Sequence, residues 1–275
     1  MKKLNIAFVW EWDKAKEIMP LWRDGLRACI EKLEKIHNVD WLLFETPKKE
    51  YDWILAWSGS YSNFSRLKST YSAKRGLFLT TMPDHAPDNL KGFDAVFCES
   101  TPVKEAVRAL GVRAIKAFGT DTDFFCPDEK VKKDIEYFYP ATFSKWKMQS
   151  EIAYLGNKLL CVGTVQPDGE EQLSLCRMND VQIKIGYFPV KEIRNYYRRA
   201  KRVIIPAVHG SERTVLEAMS CNILPEVLKP IENRKTYSYI KEFKESGLKS
   251  PREFVLNNYT ASHYLKAVLK GINES

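Results

Sequence analysis

The sequence predicts an α/β fold of two tandem, doubly wound domains. Short apolar runs alternate with stretches of helical periodicity along most of the chain. The alternation breaks once, at Asp121–Lys133, where Pro127 and mixed charges read as a linker. At 275 residues the chain suits two domains of ~130 residues each. The predicted boundaries are 1–128 and 129–275. Each strand is a compact apolar run between helices, the mark of a parallel sheet covered on both faces.

In the first domain the expected strands are Leu4–Trp10, Trp41–Phe44, Trp53–Trp57, Gly76–Thr80, Ala95–Cys98 and Ala114–Phe118. A helix is predicted over Lys14–Ile36, because Ile18, Leu21, Trp22, Leu26, Cys29, Ile30 and Leu33 recur at three and four. A second helix starts at Ser100-Thr101-Pro102, buries Val103, Ala106, Val107 and Leu110, and stops at Gly111. In the second domain strands are expected at Ile135–Tyr139, Leu159–Val162, Val181–Ile185, Val203–Pro206 and Ile223–Val227. Helices are expected at Lys145–Leu155, Glu170–Cys176, Val190–Ala200 and Arg213–Ser220. A last helix, about 256–270, can pack back on the N-terminal domain.

Composition narrows the function classes. Hydrophobic residues make up 44% and charged residues 28%, which excludes a disordered chain. No apolar run approaches the ~18 residues of a membrane span. The first run, Leu4–Trp10, ends at Glu11 and Asp13, too early for a signal peptide, and reads as a strand. Six cysteines without C-x-x-C spacing exclude a zinc ribbon and fit a reduced, cytoplasmic setting. Net charge is +8; residues 1–128 hold 19 basic and 18 acidic side chains, leaving +7 for the rest. That excess is either a solvated lysine-rich surface or a preference for an anionic ligand.

The segment Pro206–Cys221 carries the chemistry. An apolar strand enters a small polar loop, and a helix begins with its amides facing the strand end, an arrangement that binds anions. Arg213 adds charge there. Glu217, one turn in, could accept hydrogen bonds from ribose hydroxyls. A capped core helix with Glu217 on its exposed face is the other reading. In doubly wound sheets ligands sit outside the carboxyl ends of the strands, and with two such domains the cleft between them is the expected site.

Pro206–Cys221, with Leu216-Glu217-Ala218-Met219, resembles the C-terminal signature of retaining GT-B glycosyltransferases of family 4. Four further segments agree in order: Cys98–Gly111, Phe118–Pro127, Thr142–Lys147 and Val190–Pro206. The resemblance implies two Rossmann-like domains facing a cleft, the first binding an acceptor and the second a nucleotide-sugar donor. It implies transfer from a nucleotide diphosphate, such as a UDP- or GDP-sugar, with retention of configuration. No metal or other cofactor is expected. Glu217 would hold the ribose, and Gly210, Ser211, Glu212, Arg213, Thr214 and Val215 the diphosphate. Lys147 would neutralise the diphosphate, Tyr187 and Phe188 of Gly186–Pro189 would line the base, and His85 would approach the transferred sugar.

The sequence departs from the family at two positions. His209 stands where the first Glu of E-x7-E is expected, and Thr142 where an Arg stabilises the leaving diphosphate. Loss of one cationic donor can cost on the order of 10²–10³ in rate. Lys145, Arg213 or a cationic His209 could substitute. The alternatives are a weak or inactive relative that binds nucleotide or sugar, and a polyanion-binding protein, which has no recognition motif here. The Asp121-Thr122-Asp123 spacing falls in the linker and is not assigned a metal. The acceptor, whether glycan, lipid-linked or protein, is not specified. Arg194, Arg198, Arg199 and Lys201 form a basic strip on a helix whose buried face is Val190, Ile193, Tyr197 and Ala200. It is either solvated or a peripheral contact with anionic lipid. His37 and His263 read as surface residues. Trp12, Trp22, Trp41, Trp53 and Trp57 read as core, with Trp57–Tyr61 able to line an acceptor pocket.

Overall fold

The computed structural model describes residues 2–10, 14–47, 49–57, 72–80, 82–83, 87–207, 211–228 and 235–274. The chain forms two compact units, Met1–Gly119 with Ala261–Ser275, and Thr120–Thr260. The segment that reads as a linker, Asp121–Lys133, therefore packs with the second unit. Its Phe125 is fully buried, edge-on to Tyr197 at 5.9 Å between ring centroids.

In the first unit the elements are β1 (Asn5–Trp10), α1 (Ala15–Ile18), α2 (Gly25–Leu33), β2 (Asn38–Leu43), β3 (Trp53–Trp57), β4 (Lys74–Leu79), β5 (Ala95–Cys98), α3 (Thr101–Ala109) and β6 (Ala114–Lys116). The strands form one parallel sheet in the order β2-β1-β3-β4-β5-β6. Alternation along the strands splits the core between the two faces. Ile6, Phe8, Leu55, Phe78 and Phe97 pack on α2 and on the chain's last helix, Ala261–Asn273. Ala7, Val9, Ile54, Leu77 and Val96 share the other face with Val103 and Val107 of α3. Gly271 lets that last helix close on the sheet, since a Cβ there would stand 2.4 Å from the Phe97 ring.

The single helix expected over Lys14–Ile36 is two. The Asp24 carboxylate caps α2 by accepting from the Arg27 amide at 3.0 Å. The Arg27 guanidinium donates to the carbonyls of Met19 and Trp22, both at 2.6 Å, which ties down the break after Pro20. The Trp residues behave as core where described: Trp10 lies 4.3 Å from Trp22 and 5.4 Å from Trp57. Trp12 and residues 58–61 lie outside the described residues. His37, expected at the surface, is 2% exposed, and its Nδ1 accepts the Leu4 amide at 3.2 Å. His263 is exposed.

Burial holds the His37 imidazole below its ordinary pKa of 6.5, so it is neutral in the fold. The unfolded chain therefore binds the proton more readily. The contribution of His37 to stability is complete above pH 6.5 and is lost as pH falls toward the lowered folded value. Urea unfolding at pH 7.5 and 5.5 is expected to show lower stability at 5.5. His37→Asn should flatten that difference; an equal difference in the variant would show that other groups cause it.

The second unit holds β7 (Ile135–Pro140), β8 (Leu159–Gly163), α4 (Glu170–Met178), β9 (Gln182–Ile185), α5 (Val190–Arg199), β10 (Ala200–Ile205), α6 (Glu212–Ser220), β11 (Glu226–Val227), α7 (Lys235–Ser246) and α8 (Pro251–Asn258); the last helix of the chain is α9. Its strands are parallel in the order β11-β10-β7-β8-β9. The helix expected at Lys145–Leu155 is replaced by 3₁₀ turns at Lys145–Lys147 and Gln149–Lys158. Met148 between them takes the left-handed conformation (φ 54°), and Gly156 breaks the second turn (φ 58°). The helix expected at 256–270 is α8 and α9, parted around the buried Tyr259. Ser250 caps α8 by accepting from the Glu253 amide at 3.2 Å, with Pro251 in its first turn.

The basic strip of α5 is compensated at close range. Arg199 makes two 2.8 Å bonds to Asp134, Lys201 meets Glu136 at 2.7 Å, and Arg198 meets Asp128 at 3.6 Å. Arg194 lies over the Phe124 ring at 4.6 Å. Tyr196 joins Tyr197 and Ala200 on the buried face, while Val190 and Ile193 are half-buried. No helix among the described residues is long and apolar enough to cross a membrane.

Candidate functional site

The carboxyl ends of β7, β8, β9 and β10 open on one end of the second sheet. The segment after β7 carries Thr142, Lys145 and Lys147; the turn after β9 carries Tyr187 and Phe188; α6, after β10, carries Ser211 to Glu217. Close backbone packing sets the β7 segment in place. The Phe143 amide donates to the Thr164 carbonyl at 2.7 Å, and the Gln149 side chain donates to the Thr142 carbonyl at 2.8 Å. Gly163 and Gly169 permit this approach, since a Cβ at either would fall 2.3 Å from the Ala141 oxygen or 2.0 Å from the Phe143 oxygen.

Lys147 and the start of α6 meet. Lys147 Nζ donates to Ser211 Oγ at 3.4 Å. Tyr139, fully buried on β7, closes the group: its hydroxyl donates to the Lys147 carbonyl at 3.1 Å and receives Ser211 Oγ at 3.3 Å. Burial raises the Tyr139 phenol well above its ordinary value, so it is a neutral donor at physiological pH. Sequence reasoning missed Tyr139; its signal was a third aromatic residue at the end of a strand, beside the Lys147 segment. Tyr139→Phe is expected to cost about 1 kcal/mol of stability in urea unfolding. It should also lower the affinity of any anion held at Lys147, and unchanged affinity would show that Lys147 is positioned without this bond.

Helical bonding in α6 begins with the Val215 amide, which donates to the Ser211 carbonyl at 3.1 Å. The amides of Glu212, Arg213 and Thr214 precede that bond at the helix end, where a partial positive charge accumulates. The Val215 amide is thus engaged in the helix, and its side chain is fully buried. Thr214 Oγ1 contacts the Pro140 carbonyl at 3.4 Å, docking α6 on the end of β7. Glu217 is on the buried face, not the exposed one. Its Oε2 accepts the Tyr197 hydroxyl at 3.0 Å, and its Oε1 lies 3.6 Å from Arg213 Nε. Arg213 thus points its charge at Glu217, with its own side chain 58% exposed. Glu212, 1% exposed, has an Oε1 atom that meets no hydrogen-bond partner among the described residues. The helix dipole favours a carboxylate there, and Glu212 also helps raise the Tyr139 phenol.

The remaining expected residues fall at the same sheet end without joining this cluster. Thr142 Oγ1 pairs with Thr164 Oγ1 at 2.8 Å, so its hydroxyl is bonded sideways to β8's exit. Lys145 is exposed, and Tyr187 is 49% exposed in the turn after β9, next to half-buried Phe188. His85, His209 and Gly210 lie outside the described residues. Asp121 serves a turn, its Oδ1 accepting the Phe124 amide at 3.2 Å. Among the described residues no three His, Cys, Asp or Glu side chains converge as metal ligands would.

No protein-family model and no curated protein matches the sequence. Solved structures do match over nearly the whole chain. Sucrose-phosphate synthase from Thermosynechococcus elongatus has a TM-score of 0.67 at 13% identity, covering 98% of each chain. HepE of Anabaena, solved with UDP and glucose, has a TM-score of 0.63 at 12% identity, covering 99% of this chain and 100% of HepE. The fold is GT-B. An α-glucosyltransferase solved with UDP and a 13-mer DNA has the same TM-score, 0.63, at 11% identity, over 99% of this chain and 100% of that one. At these identities the likeness concerns the GT-B architecture, two Rossmann-like units each with its own parallel sheet. The Lys147–Ser211–Tyr139 group and the start of α6 lie at the strand ends of the second of them.

Proposed function

We propose that this chain is a glycosyltransferase that takes a sugar from a nucleotide-diphosphate donor bound at the carboxyl end of the second sheet. The observation that carries this is the meeting of Lys147 with the start of α6 at Ser211, six residues before Glu217. It supplies a cation and helix-end amides for a diphosphate, and a carboxylate for hydroxyls. The GT-B neighbours solved with UDP or UDP-glucose make a uridine nucleotide the first donor to test. In the reaction the acceptor oxygen bonds to the anomeric carbon as the bond to the diphosphate oxygen breaks. The acceptor proton leaves with the diphosphate, and configuration is retained. Lys147 and the α6 amides stabilise the developing charge without a metal, so EDTA is expected to leave turnover unchanged; loss of turnover with EDTA and its recovery with a divalent cation would overturn this.

The test is ligand-induced stabilisation by UDP, GDP and ADP, repeated on Lys147→Ala. At 100-fold excess over Kd a ligand adds about 2.7 kcal/mol of apparent stability. Stabilisation by one nucleotide, lost in Lys147→Ala, supports the donor site and names the base. No stabilisation by any of the three at millimolar concentration sinks it.

A further inference from the structure

We propose that Glu212 is a specificity-determining residue of the donor site, whose sealed carboxylate repels the spent nucleoside diphosphate more than the sugar-bearing donor. This rests on the donor site proposed above and adds what separates donor from product there. Glu212 opens α6 and is 1% exposed. Among the described residues its Oε1 has no hydrogen-bond partner. The dipole of α6 favours a carboxylate at this position, but that gain needs no burial. Sealing a carboxylate oxygen away from donors costs more than the dipole returns. The same sealing keeps a ligand's hydroxyls from Oε1. What Glu212 offers a ligand is its charge, which acts through the interior with little screening.

That charge reaches the group where the diphosphate is placed. Burial is the first cause that raises the Tyr139 phenol, and Cys161 and Glu212 add to it. The Tyr139 hydroxyl is 3.3 Å from Ser211 Oγ, the atom that Lys147 Nζ approaches at 3.4 Å. Glu217, the other acidic side chain of α6, faces Tyr197 and Arg213 instead. Lys147 and the helix amides attract donor and product alike. A nucleotide-diphosphate sugar carries about one negative charge on each phosphoryl group. In the transfer the bond from the anomeric carbon to the diphosphate oxygen breaks, and the acceptor proton passes to the diphosphate. Above pH ~6 water takes that proton, which leaves about two charges on the terminal phosphoryl. The product therefore meets Glu212 with one charge more than the donor did, and the carboxylate favours exchange of product for fresh donor.

Calorimetric titration at pH 7.5 compares two probes that differ in that charge: UDP, and UDP methylated on a terminal phosphoryl oxygen. Each is titrated into the full chain and into Glu212→Gln. UDP is expected to bind the variant about tenfold tighter, the effect of one charge acting at short range inside the protein. The ester carries half the charge on its terminal phosphoryl, so its gain should be about threefold. An equal factor for both probes overturns the inference, because a structural role of Glu212 moves both alike. Weaker UDP binding in the variant overturns it too. UDP binding to neither chain sinks the donor site and this inference with it; UDP binding to the unmodified chain with no gain in the variant sinks the inference alone. Urea unfolding checks that Glu212→Gln is folded, and Glu212→Ala replaces it if it is not.

Discussion

Replacing Gly169 by alanine is expected to destabilise the chain by about 3 kcal/mol and to abolish nucleotide binding. The added Cβ would lie 2.0 Å from the Phe143 oxygen, 2.5 Å from its carbonyl carbon and 3.1 Å from the Ser144 amide. All three are backbone atoms, so no side-chain rotation relieves the clash. The Phe143 oxygen also accepts the Gln166 amide at 3.0 Å, and Phe143 is fully buried, so the segment cannot simply lift. What yields must be the path from Phe143 to Lys147. Lys147 would then lose its approach to Ser211, and the binding effect should exceed the effect on stability. Gly92→Ala is the matched control, because nothing lies within 4 Å of its Cβ. Urea unfolding with UDP stabilisation reads both quantities. Unchanged stability in Gly169→Ala would mean that the β7–β8 loops are far more pliant than their bonding indicates.

Elements with a clean period were legible in the sequence. Trp53–Trp57 and Ala95–Cys98 are strands with the expected ends, because each is a short apolar run bounded by polar residues. The segments that differ were decided by contacts that periodicity does not carry. The Lys145–Leu155 stretch has helical spacing, yet the residues leading into it are held in place, Phe143 by Thr164, Thr142 by the Gln149 side chain and both pressed on Gly163 or Gly169, and it turns as 3₁₀ instead. The linker reading of Asp121–Lys133 gave weight to Pro127 and the charges and none to Phe124-Phe125. Phe125 enters the core, and its carbonyl takes bonds from Ser220 and, at 3.3 Å, from Arg252, more than a hundred residues away in sequence.

The strand, loop and helix start at Pro206–Cys221 are local features, and Glu217 was named from them. Lys147 was named only through the resemblance of the Thr142–Lys147 segment, and the fold brings it to Ser211. The sequence did not reveal which way Glu217 faces, since α6 is buried nearly all round and its period does not distinguish one buried face from another. Tyr139 and Tyr197 were missed for a related reason: each reads as ordinary apolar filling of a strand or helix. Their hydroxyls matter only once Ser211 and Glu217 arrive from elsewhere in the chain.

Glu217→Gln is expected to weaken UDP binding about tenfold to a hundredfold, the effect of losing a hydrogen bond to a charged group. That magnitude alone does not separate a ribose contact from a packing role, because Glu217 also receives Tyr197 and faces Arg213 inside the unit. Removing the ligand's own hydroxyls makes the separation. If the carboxylate accepts the ribose, 2′,3′-dideoxy-UDP should bind the unmodified chain weakly and should lose nothing further in Glu217→Gln. The two losses then overlap, and the coupling measured by the cycle equals most of the single effect. If the carboxylate only anchors Tyr197, the variant should weaken both ligands by the same factor and lower stability as well. Tyr197→Phe distinguishes a third possibility. It leaves Glu217 its charge but removes the donor at 3.0 Å, so it should cost about 1–3 kcal/mol of stability with a smaller effect on UDP than Glu217→Gln. A Tyr197→Phe effect on UDP as large as that of Glu217→Gln would make Glu217 a positioning residue rather than a contact.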